Sequence, residues 1–259
     1  LILERGKQVE DRSADVERFW KTGILQPDSN VQFGEGGAGT FSDGKLNTVV
    51  KDPSGKNRYV LETFVKFGAP SEILYDAKPH IGTDILAKVI KNMRDYLIEH
   101  GAEFRFQTCL KDIQIKENAL QALVTEDDTV IPADVAILAL GHSARDTFMM
   151  LHRHQLPMEA KNFAVGFRVE HPQQMINDAM YGNGKRNALR LPAAPYKVTS
   201  NFPNGRGVYS FCMCPGGYVV NASSMKEKTC GNGMSYSGRS GKTANSDIIV
   251  SVSTGASGA

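Results

Sequence analysis

The sequence has no surplus of charge of either sign and no long apolar run. Thirty lysines and arginines face 28 aspartates and glutamates, so the formal net charge is only +2 over 259 residues. Proteins that bind nucleic acids usually cluster positive charge on one surface, and no segment does so here. No apolar run approaches the ~18 to 20 residues that a membrane-spanning helix needs. We therefore predict neither a nucleic-acid partner nor a membrane partner.

The first residues do not predict a secretory signal peptide. The stretch LILERGKQVEDR becomes charged too soon to contain the apolar centre of a signal peptide. We therefore predict a cytoplasmic protein. Hydrophobic residues make up 41% of the chain, which is enough to form a sizeable core in one or two lobes.

Cysteine is scarce, with only Cys109, Cys212, Cys214 and Cys230. Four irregularly spaced cysteines do not form a disulfide framework in a chain of this length, so we predict free thiols. Cys212 and Cys214 could be read as a redox or metal pair. Alternation along a strand would instead place both thiols on one face, where cysteine packs as a small hydrophobe, and no second ligand cluster completes a zinc site. The sequence therefore favours packing.

Two segments predict helices. The stretch SADVERFWKTG starts at a candidate N-cap, Ser13, and stops at Gly23. The stretch TDILAKVIKNMRDYLIEHG is capped by Thr83 and ended by Gly101, and residues 51–58 between them predict a loop. The apolar stripe of the second helix consists of Ile85, Leu86, Val89, Ile90, Met93 and Leu97.

Alternating segments predict strands. Residues 103–131 predict a small meander with turns at 117–118 and 127–128, and ADVAILALG, residues 133–141, predicts a strand buried in a parallel sheet. FAVGFRVEH, at 163–171, and GYVVNAS, at 217–223, predict a second lobe of mostly antiparallel strands. The final STGASGA predicts a tail. The predicted fold class is α/β.

The segment FGEGGAGTFSDGKL, residues 33–46, is almost bare backbone. Glycines let the main chain approach a ligand closely, so the amides of Gly36, Gly37 and Gly39 are candidates to bind phosphate oxygens. Thr40 and Ser42 add hydroxyl donors, and Asp43 could accept from a ribose or ring group. A flexible surface loop is the alternative. The surroundings of the segment in sequence favour the binding interpretation.

Two further stretches fit a nucleotide site. Glu4 closes the apolar strand LIL, and an acidic residue at such a strand end can accept hydrogen bonds from ribose hydroxyls. In ILALGHSARD, a predicted strand brings Gly141, His142 and Ser143 to its carboxyl end, the edge at which α/β sheets bind ligands.

With these motifs the chain resembles the uncharacterised FAD-dependent dehydrogenases, bacterial flavoproteins related to the glutathione-reductase-like two-domain superfamily. The resemblance rests on LILERG, FGEGGAGTFSDGKL, AKPHIGTD, ALGHSARD, FCMCPGGYVVNASS and NGMSYSGRSGKTANSDIIVSV. It implies FAD as cofactor. Glu4 would then hold the adenosine ribose with Arg5 beside it, and Gly36 through Gly44 would wrap the pyrophosphate and the flavin side of the cofactor. The implied site also includes the backbone at Cys109 and Leu110, facing adenine, and Gly141, His142 and Ser143 along the cofactor.

The resemblance implies a first strand that leads directly into G-x-G-x-x-G and a helix, and the chain departs from this because no such motif follows LIL. That spacing occurs only at Gly34, Gly36 and Gly39, inside the glycine segment. We therefore expect an interior portion of a longer flavoprotein that does not retain FAD alone. The expected domains are a partial FAD/NAD(P)-binding Rossmann-like domain at 1–149, a mostly antiparallel β substrate domain at 150–235, and a C-terminal return segment and tail at 236–259.

The expected function is an FAD-dependent oxidoreductase, a dehydrogenase that transfers hydride or electrons between a small-molecule substrate and flavin. The resemblance assigns no catalytic residue. NAD(P)H is a candidate electron partner, although no second glycine fingerprint is present to hold it. A flavin-dependent tRNA-modification factor and a noncatalytic nucleotide-binding scaffold are the alternatives, and the oligomeric state is open. Candidates for substrate contact are Arg168, His171, Arg190 and Tyr196.

Overall fold

A computed structural model describes residues 1–46 and 51–254. Most of the predicted C-terminal tail, residues 255–259, lies outside the described residues. The chain divides into two compact units. Unit 1 consists of Leu1–Ala38, Ile90–Glu159 and Ala222–Thr229, and unit 2 consists of Gly39–Val89, Ala160–Asn221 and Cys230–Ala259. The glycine segment crosses this division between Ala38 and Gly39.

The described residues form six α-helices and eleven strands. The helices are α1 (Val9–Thr22), α2 (Lys56–Lys66), α3 (Thr83–Glu99), α4 (Arg145–Arg153), α5 (Gln173–Tyr181) and α6 (Lys185–Ala188). The strands are β1 (Ile2–Leu3), β2 (Phe104–Arg105), β3 (Leu110–Lys116), β4 (Ala119–Thr125), β5 (Val130–Pro132), β6 (Phe163–Pro172), β7 (Thr199–Asn201), β8 (Gly207–Cys214), β9 (Tyr218–Asn221), β10 (Gly231–Met234) and β11 (Thr243–Val252). Short 3₁₀ helices span Ala38–Phe41 and Ser71–Leu74.

Unit 1 contains a short parallel pair, β1 with β2, and an antiparallel meander in the order β3-β4-β5. The β3–β4 turn has positive φ at Glu117 (52°) and Asn118 (61°), as a two-residue turn matching the strand twist requires. Ile113 from β3 packs with Met150 and Leu151 from α4 in a hydrophobic cluster. The predicted meander is therefore confirmed, and α4 covers one of its faces.

Unit 2 is built on an antiparallel sheet in the order β6-β11-β8-β7, with a separate β9–β10 pair. β11 lies between β6 and β8 and pairs with β6 along its whole length, from Thr243↔Pro172 to Val252↔Phe163. Its pairing with β8 shifts between Asn245 and Asp247, where β8 contains a bulge. The fold is thus mixed α/β with mostly antiparallel sheets, and the predicted antiparallel strands are confirmed.

Two predicted element boundaries were wrong. α1 begins at Val9 and not at Ser13, because the carboxylate of Glu35, distant in sequence, accepts a hydrogen bond from the Val9 N–H and supplies the cap. The end at Gly23 is confirmed, since Gly23 has a φ of 74°. The loop predicted for residues 51–58 is also too long, because α2 starts at Lys56.

The predicted buried strand at residues 133–141 was wrong. No residue of this stretch belongs to a strand, and most of its side chains are exposed, with Ile137 at 92% and Val135 at 82%. Leu140 is partly buried and packs against the hydrophobic cluster of Ile113, Met150 and Leu151. A buried strand needs backbone partners on its edges, and no described strand pairs with this stretch. The apolar composition of residues 133–141 therefore does not by itself predict that they pair with another strand. In the described part of the chain, parallel pairing is confined to β1 and β2.

None of the helices in the described part of the chain combines the length and the apolar character that crossing a bilayer requires.

The cluster on α4 gives a test of the unit 1 core. Met150 is 2% exposed within this cluster, whereas its neighbour Met149 is 56% exposed. We expect Met150→Ala to lower the free energy of unfolding by about 2 to 5 kcal/mol because it leaves a cavity. The matched control Met149→Ala should change it by less than about 0.5 kcal/mol. Urea unfolding followed by circular dichroism measures both, and equal effects would contradict this packing.

Candidate cofactor site

Arg12 organises the first half of the glycine segment. Its guanidinium is fully buried and donates to four carbonyl oxygens: Nε to Asn30 (2.8 Å), Nη1 to Glu35 (2.6 Å), and Nη2 to Val31 (3.0 Å) and Gly37 (2.9 Å). Desolvation lowers the pKa of Arg12 to about 10, so the side chain stays charged at neutral pH. A single cation therefore fixes the backbone of residues 30–37.

These carbonyl contacts determine where the neighbouring amides point. The peptides are trans, and in a trans peptide the N–H points opposite to the C=O. Because the oxygens of Glu35 and Gly37 face Arg12, the N–H groups of Gly36 and Ala38 face away from it. Neither N–H has an acceptor among the described residues, and Gly36 is exposed. Outward-facing amides of this kind are the donors from which anion-binding concavities in proteins are built.

Glu4 attaches the glycine segment to the end of β1. Its Oε1 accepts hydrogen bonds from the N–H groups of Gly6 (2.8 Å) and Gly34 (3.0 Å). Gly6 and Gly34 also pack backbone against backbone, since a Cβ built on Gly6 would lie 2.5 Å from the Cα of Gly34. A Cβ on Gly34 would lie 2.3 Å from the Cδ of Arg12. These two glycines are therefore required by packing.

Gly37 has a different environment. Its φ is 62°, and a Cβ built on it would meet no atom within 4 Å. The position therefore favours glycine for its backbone conformation while leaving open space in front of it. Gly36 shares this left-handed conformation, with a φ of 83°. Consecutive residues of this kind keep the main chain accessible to a ligand.

A partly open pocket of about 210 Å³ lies where β1 ends. Arg5 lies in its lining, with its guanidinium 4.6 Å from the centre of the Phe33 ring and 2.6 Å from Asp146 Oδ2. Cys109 is on the same lining, and burial raises the pKa of its thiol. The full lining is Arg5, Gly6, Lys7, Gln26, Pro27, Asp28, Ser29, Gln107, Cys109 and Glu126. The structure thus brings Arg5 and Cys109, predicted to lie near the ribose and adenine, into one pocket.

A network of ion pairs centred on Arg94 holds the glycine segment in place through Glu35. Arg94 on α3 donates Nη1 to Glu35 (2.8 Å) and grips Glu10 with both terminal nitrogens, at 2.9 and 2.8 Å. Burial raises the pKa of Glu35, whereas the bidentate contact with Arg94 lowers that of Glu10. The Glu35 carboxylate also caps α1 through Val9. This network connects α1, the glycine segment and the second half of α3 within unit 1.

The remaining predicted residues of unit 1 fall into two groups. Ser143 contacts Gln32, with 3.3 Å between its Oγ and Gln32 Oε1, and His142 Nε2 lies 3.3 Å from the same Oγ. Gly141 has a φ of 65° and open space around a built Cβ. Leu110, in contrast, packs on the hydrophobic cluster of β3 and α4, so its side chain belongs to the core.

The second half of the glycine segment belongs to unit 2. Thr40 is buried, its carbonyl accepts from the Thr83 hydroxyl, and its own Oγ1 has no partner in the part of the chain that the structure describes. Ser42 Oγ donates to the Gly39 carbonyl (2.7 Å) and accepts from the Gly44 N–H (3.1 Å). The Ser42 hydroxyl therefore closes a local turn. A Cβ on Gly39 would meet open space.

Asp43 is the electrostatic centre of this half. Its carboxylate is 1% exposed and contacts Arg239 Nε (3.1 Å), Arg239 Nη2, Lys45 Nζ (2.8 Å) and the Ser235 hydroxyl. Burial alone would raise its pKa, but the hydrogen bonds and charges of Arg239 and Lys45 outweigh burial and lower it to about 2. The carboxylate is thus fully engaged by protein groups.

The four candidates for substrate contact lie in unit 2. Arg168 is buried in the sheet and donates to Asn245, Asp247 and the Cys212 carbonyl. The rings of His171 and Tyr196 lie 5.4 Å apart, and desolvation lowers the pKa of His171 and raises that of Tyr196. Arg190 is exposed just after α6. His171 and Tyr196 are therefore brought together, and the charge of Arg168 also acts on Tyr196.

Sequence reasoning missed Arg12, Glu35 and Arg94. A signal existed for both arginines, because each occupies the apolar stripe of its helix: Arg12 lies between Val9 and Val16, and Arg94 lies four residues after Ile90. A charged residue on a buried helix face must find partners. Starting α1 at Ser13 excluded Arg12 from the stripe.

Comparison with known proteins relates the C-terminal part of the chain to an FAD-dependent family. Residues 162–258 match a family model described as "FAD-dependent protein, C-terminal domain-like". A curated but uncharacterized protein of Clostridium beijerinckii is 48% identical over 254 residues, which cover 98% of this chain and 47% of that protein. The chain thus spans about half the length of this relative. The family-model match supports an FAD-dependent family.

Solved structures give weaker likenesses. A salicylate hydroxylase substrate complex aligns with a TM-score of 0.31 and 16% identity, over 63% of this chain and 33% of that one. The tetracycline destructase Tet(51) aligns with a TM-score of 0.30 and 11% identity, over 75% of this chain and 43% of that one. Scores this low do not establish a shared fold.

The charge cluster around Asp43 predicts an acid-dependent stability. A depressed carboxylate pKa stabilises the folded state above the unfolded-state value of about 4, and this stabilisation is lost as the pH falls through about 2. We expect Asp43→Asn to lower the free energy of unfolding at pH 7 by about 2 kcal/mol or more. The difference from the wild type should shrink below pH 4. Asp76→Asn, at an exposed position of unit 2, is the control. Urea midpoints between pH 3 and 7 measure this, and a pH-independent difference would contradict it.

Proposed function

We propose that this chain is part of an FAD-dependent oxidoreductase, and that the backbone of the glycine segment binds the FAD diphosphate. The observation that carries the proposal is the pair of outward-facing amides at Gly36 and Ala38, held in place by the carbonyl contacts of Arg12. Hydrogen bonds to a charged acceptor contribute about 1.5 to 3 kcal/mol each. Two such bonds are a substantial share of the binding free energy of a dinucleotide.

The site fits a diphosphate in shape as well as in donors. A bulky anion needs unobstructed space in front of the amides, and a Cβ built on Gly37 meets no atom within 4 Å. The adjoining pocket, lined by Arg5 and Cys109, offers a place for the adenosine end. Its wall includes Gly6, which contacts Gly34 of the glycine segment. We further propose that unit 1 is a partial Rossmann-like nucleotide-binding domain.

When bound, the isoalloxazine ring supplies the hydride or electron transfer. The residues of this chain would bind and orient the cofactor: the Gly36 and Ala38 amides hold the diphosphate, and Glu4 keeps the segment in register through Gly6 and Gly34. The match of residues 162–258 to an FAD-dependent C-terminal domain supports the same assignment from unit 2. A dehydrogenase that acts on a small molecule, with NAD(P)H as a candidate electron partner, is the specific form that we propose.

The test is an FAD titration of the full-length protein that contains this chain, with two matched variants. Gly37→Asn preserves the left-handed backbone conformation, because asparagine tolerates it better than most residues. The substitution places a side chain in the open space that we assign to the diphosphate. Gly23→Asn makes the same change at the end of α1, where φ is 74° and a built Cβ also meets nothing. We expect Gly37→Asn to weaken FAD binding by about tenfold or more, whereas Gly23→Asn leaves it unchanged.

Both variants should unfold at similar urea concentrations, because both substitutions are compatible with their backbone and open space. An unchanged flavin affinity in Gly37→Asn would overturn the placement of the diphosphate. A full-length protein that is colourless and cannot be reconstituted with FAD would overturn the proposed function as a whole.

A further inference from the structure

Cys212 lies within a distortion of β8, and Cys214 lies where regular pairing with β11 resumes. The pairing of β8 with β11 shifts between Asp247 and Asn245, and Cys212 has a φ of 52°, a left-handed value that a cysteine rarely adopts. As a result Cys214 Sγ lies 3.3 Å from the Cys212 carbonyl oxygen. Cys214 is buried, whereas Cys212 is partly exposed. One thiol of the pair can therefore be reached from solvent, and the other cannot.

Two cations point at the buried thiol. Arg168 Nη2 lies 3.5 Å and Lys45 Nζ lies 3.7 Å from Cys214 Sγ. The Arg168 side chain is only 4% exposed and is fixed by Asn245 (2.8 Å) and Asp247 (2.7 Å). Packing as a small hydrophobe would explain why Cys214 is buried. It would not explain why the ammonium of Lys45 and the guanidinium of Arg168 both contact its sulfur. Such an arrangement stabilises thiolate charge.

The two thiols share this positive field unequally. The hydrogen bond between them lowers the pKa of Cys212, with Lys45 and Arg168 adding to the effect, and it raises the pKa of Cys214. Asp43 opposes the cations from nearby. Of the two thiols, the partly exposed Cys212 is therefore the one that loses its proton more readily.

We propose that Cys212 and Cys214 form a redox-active dithiol that reduces low-molecular-weight disulfides. The proposal rests on unit 2 alone and does not depend on the FAD assignment. Cys109 and Cys230 provide an internal contrast, since neither has a second cysteine beside it in the sequence.

The reaction is two successive thiol–disulfide exchanges. In the first, the Cys212 thiolate attacks one sulfur of the disulfide, a Cys212–S bond forms, and the first small thiolate leaves and takes a proton from solvent. In the second, Cys214 loses its proton to solvent and attacks Cys212 Sγ, which releases the second small thiolate to be protonated. The net change is oxidation of two cysteines to one disulfide and reduction of one small disulfide to two thiols.

The surrounding charges favour the second exchange once the first has occurred. The contacts that raise the pKa of Cys214 include its hydrogen bond to Cys212 and the negative charge of Cys212. Both disappear when Cys212 becomes part of a mixed disulfide. Lys45 continues to favour the Cys214 thiolate, and the guanidinium of Arg168 remains 3.5 Å from its Sγ. The attacking thiolate is therefore Cys212 in the first exchange and Cys214 in the second.

The test uses glutathione disulfide as the probe on the reduced full-length protein and follows this region by peptide mass analysis. In the wild type we expect a disulfide between Cys212 and Cys214 with release of two glutathione molecules. Cys214→Ser should stop at a glutathione adduct on Cys212, and Cys212→Ser should form neither product. Cys230→Ser should behave like the wild type.

Equal glutathione incorporation at Cys212 and at the exposed Cys230, with no Cys212–Cys214 disulfide, would overturn the proposal. Circular dichroism of each variant separates failure to react from failure to fold.

Lys45 gives a second measurement that does not remove a thiol. We expect Lys45→Met to shift the pH midpoint of Cys212 alkylation by iodoacetamide to higher pH, since a cation that favours the thiolate is lost. Lys45→Arg should restore the low midpoint, and Lys88→Met, at an exposed position of α3, should leave it unchanged. A midpoint in the wild type equal to that of an ordinary cysteine, at about 8.5, would contradict the proposed activation.

Discussion

The buried guanidinium of Arg12 is the constraint on which the candidate cofactor site depends. A charged group this deep in the protein is costly unless its donors are used, and Arg12 uses them on the carbonyls of Asn30, Val31, Glu35 and Gly37. An otherwise side-chain-poor segment, with little packing of its own, thereby acquires a defined path. Because the carbonyls of Glu35 and Gly37 turn inward, the N–H groups of the same two peptides turn outward. A structural arginine thereby orients the two amides that we propose as donors to the diphosphate.

Unit 2 uses buried charge in a different way. The Asp43 carboxylate contacts Arg239, Lys45 and Ser235. The Arg168 guanidinium contacts the sheet residues Asn245 and Asp247 and the thiol of Cys214. Lys45 contacts both Asp43 and Cys214, so it joins the Asp43 charge cluster to the cysteine pair. A low-dielectric interior strengthens each of these interactions. The same charges can therefore stabilise the sheet and adjust the acidity of the cysteine pair.

The sequence predicted features that local chemistry determines. Gly23 ends α1 because only a residue that tolerates positive φ fits there, and the meander follows from alternation and the turn at Glu117 and Asn118. Features that depend on distant partners were missed or mistaken. Residues 133–141 have the composition of a buried strand but no described partner, and the start of α1 depends on Glu35. The candidate cofactor residues could be predicted because they form a glycine-rich pattern in the sequence. The role of Arg12 could not, because its contacts with that segment exist only in the folded chain.

Amide hydrogen exchange of residues 30–38 in the full-length protein, with and without FAD, tests the central claim most directly. The wild type should show slowed exchange at Gly36 and Ala38 when FAD is added. Arg12→Met should abolish that protection, since the carbonyls of Glu35 and Gly37 lose their shared donor. Flavin binding that leaves the exchange of these two amides unchanged in the wild type would contradict the account.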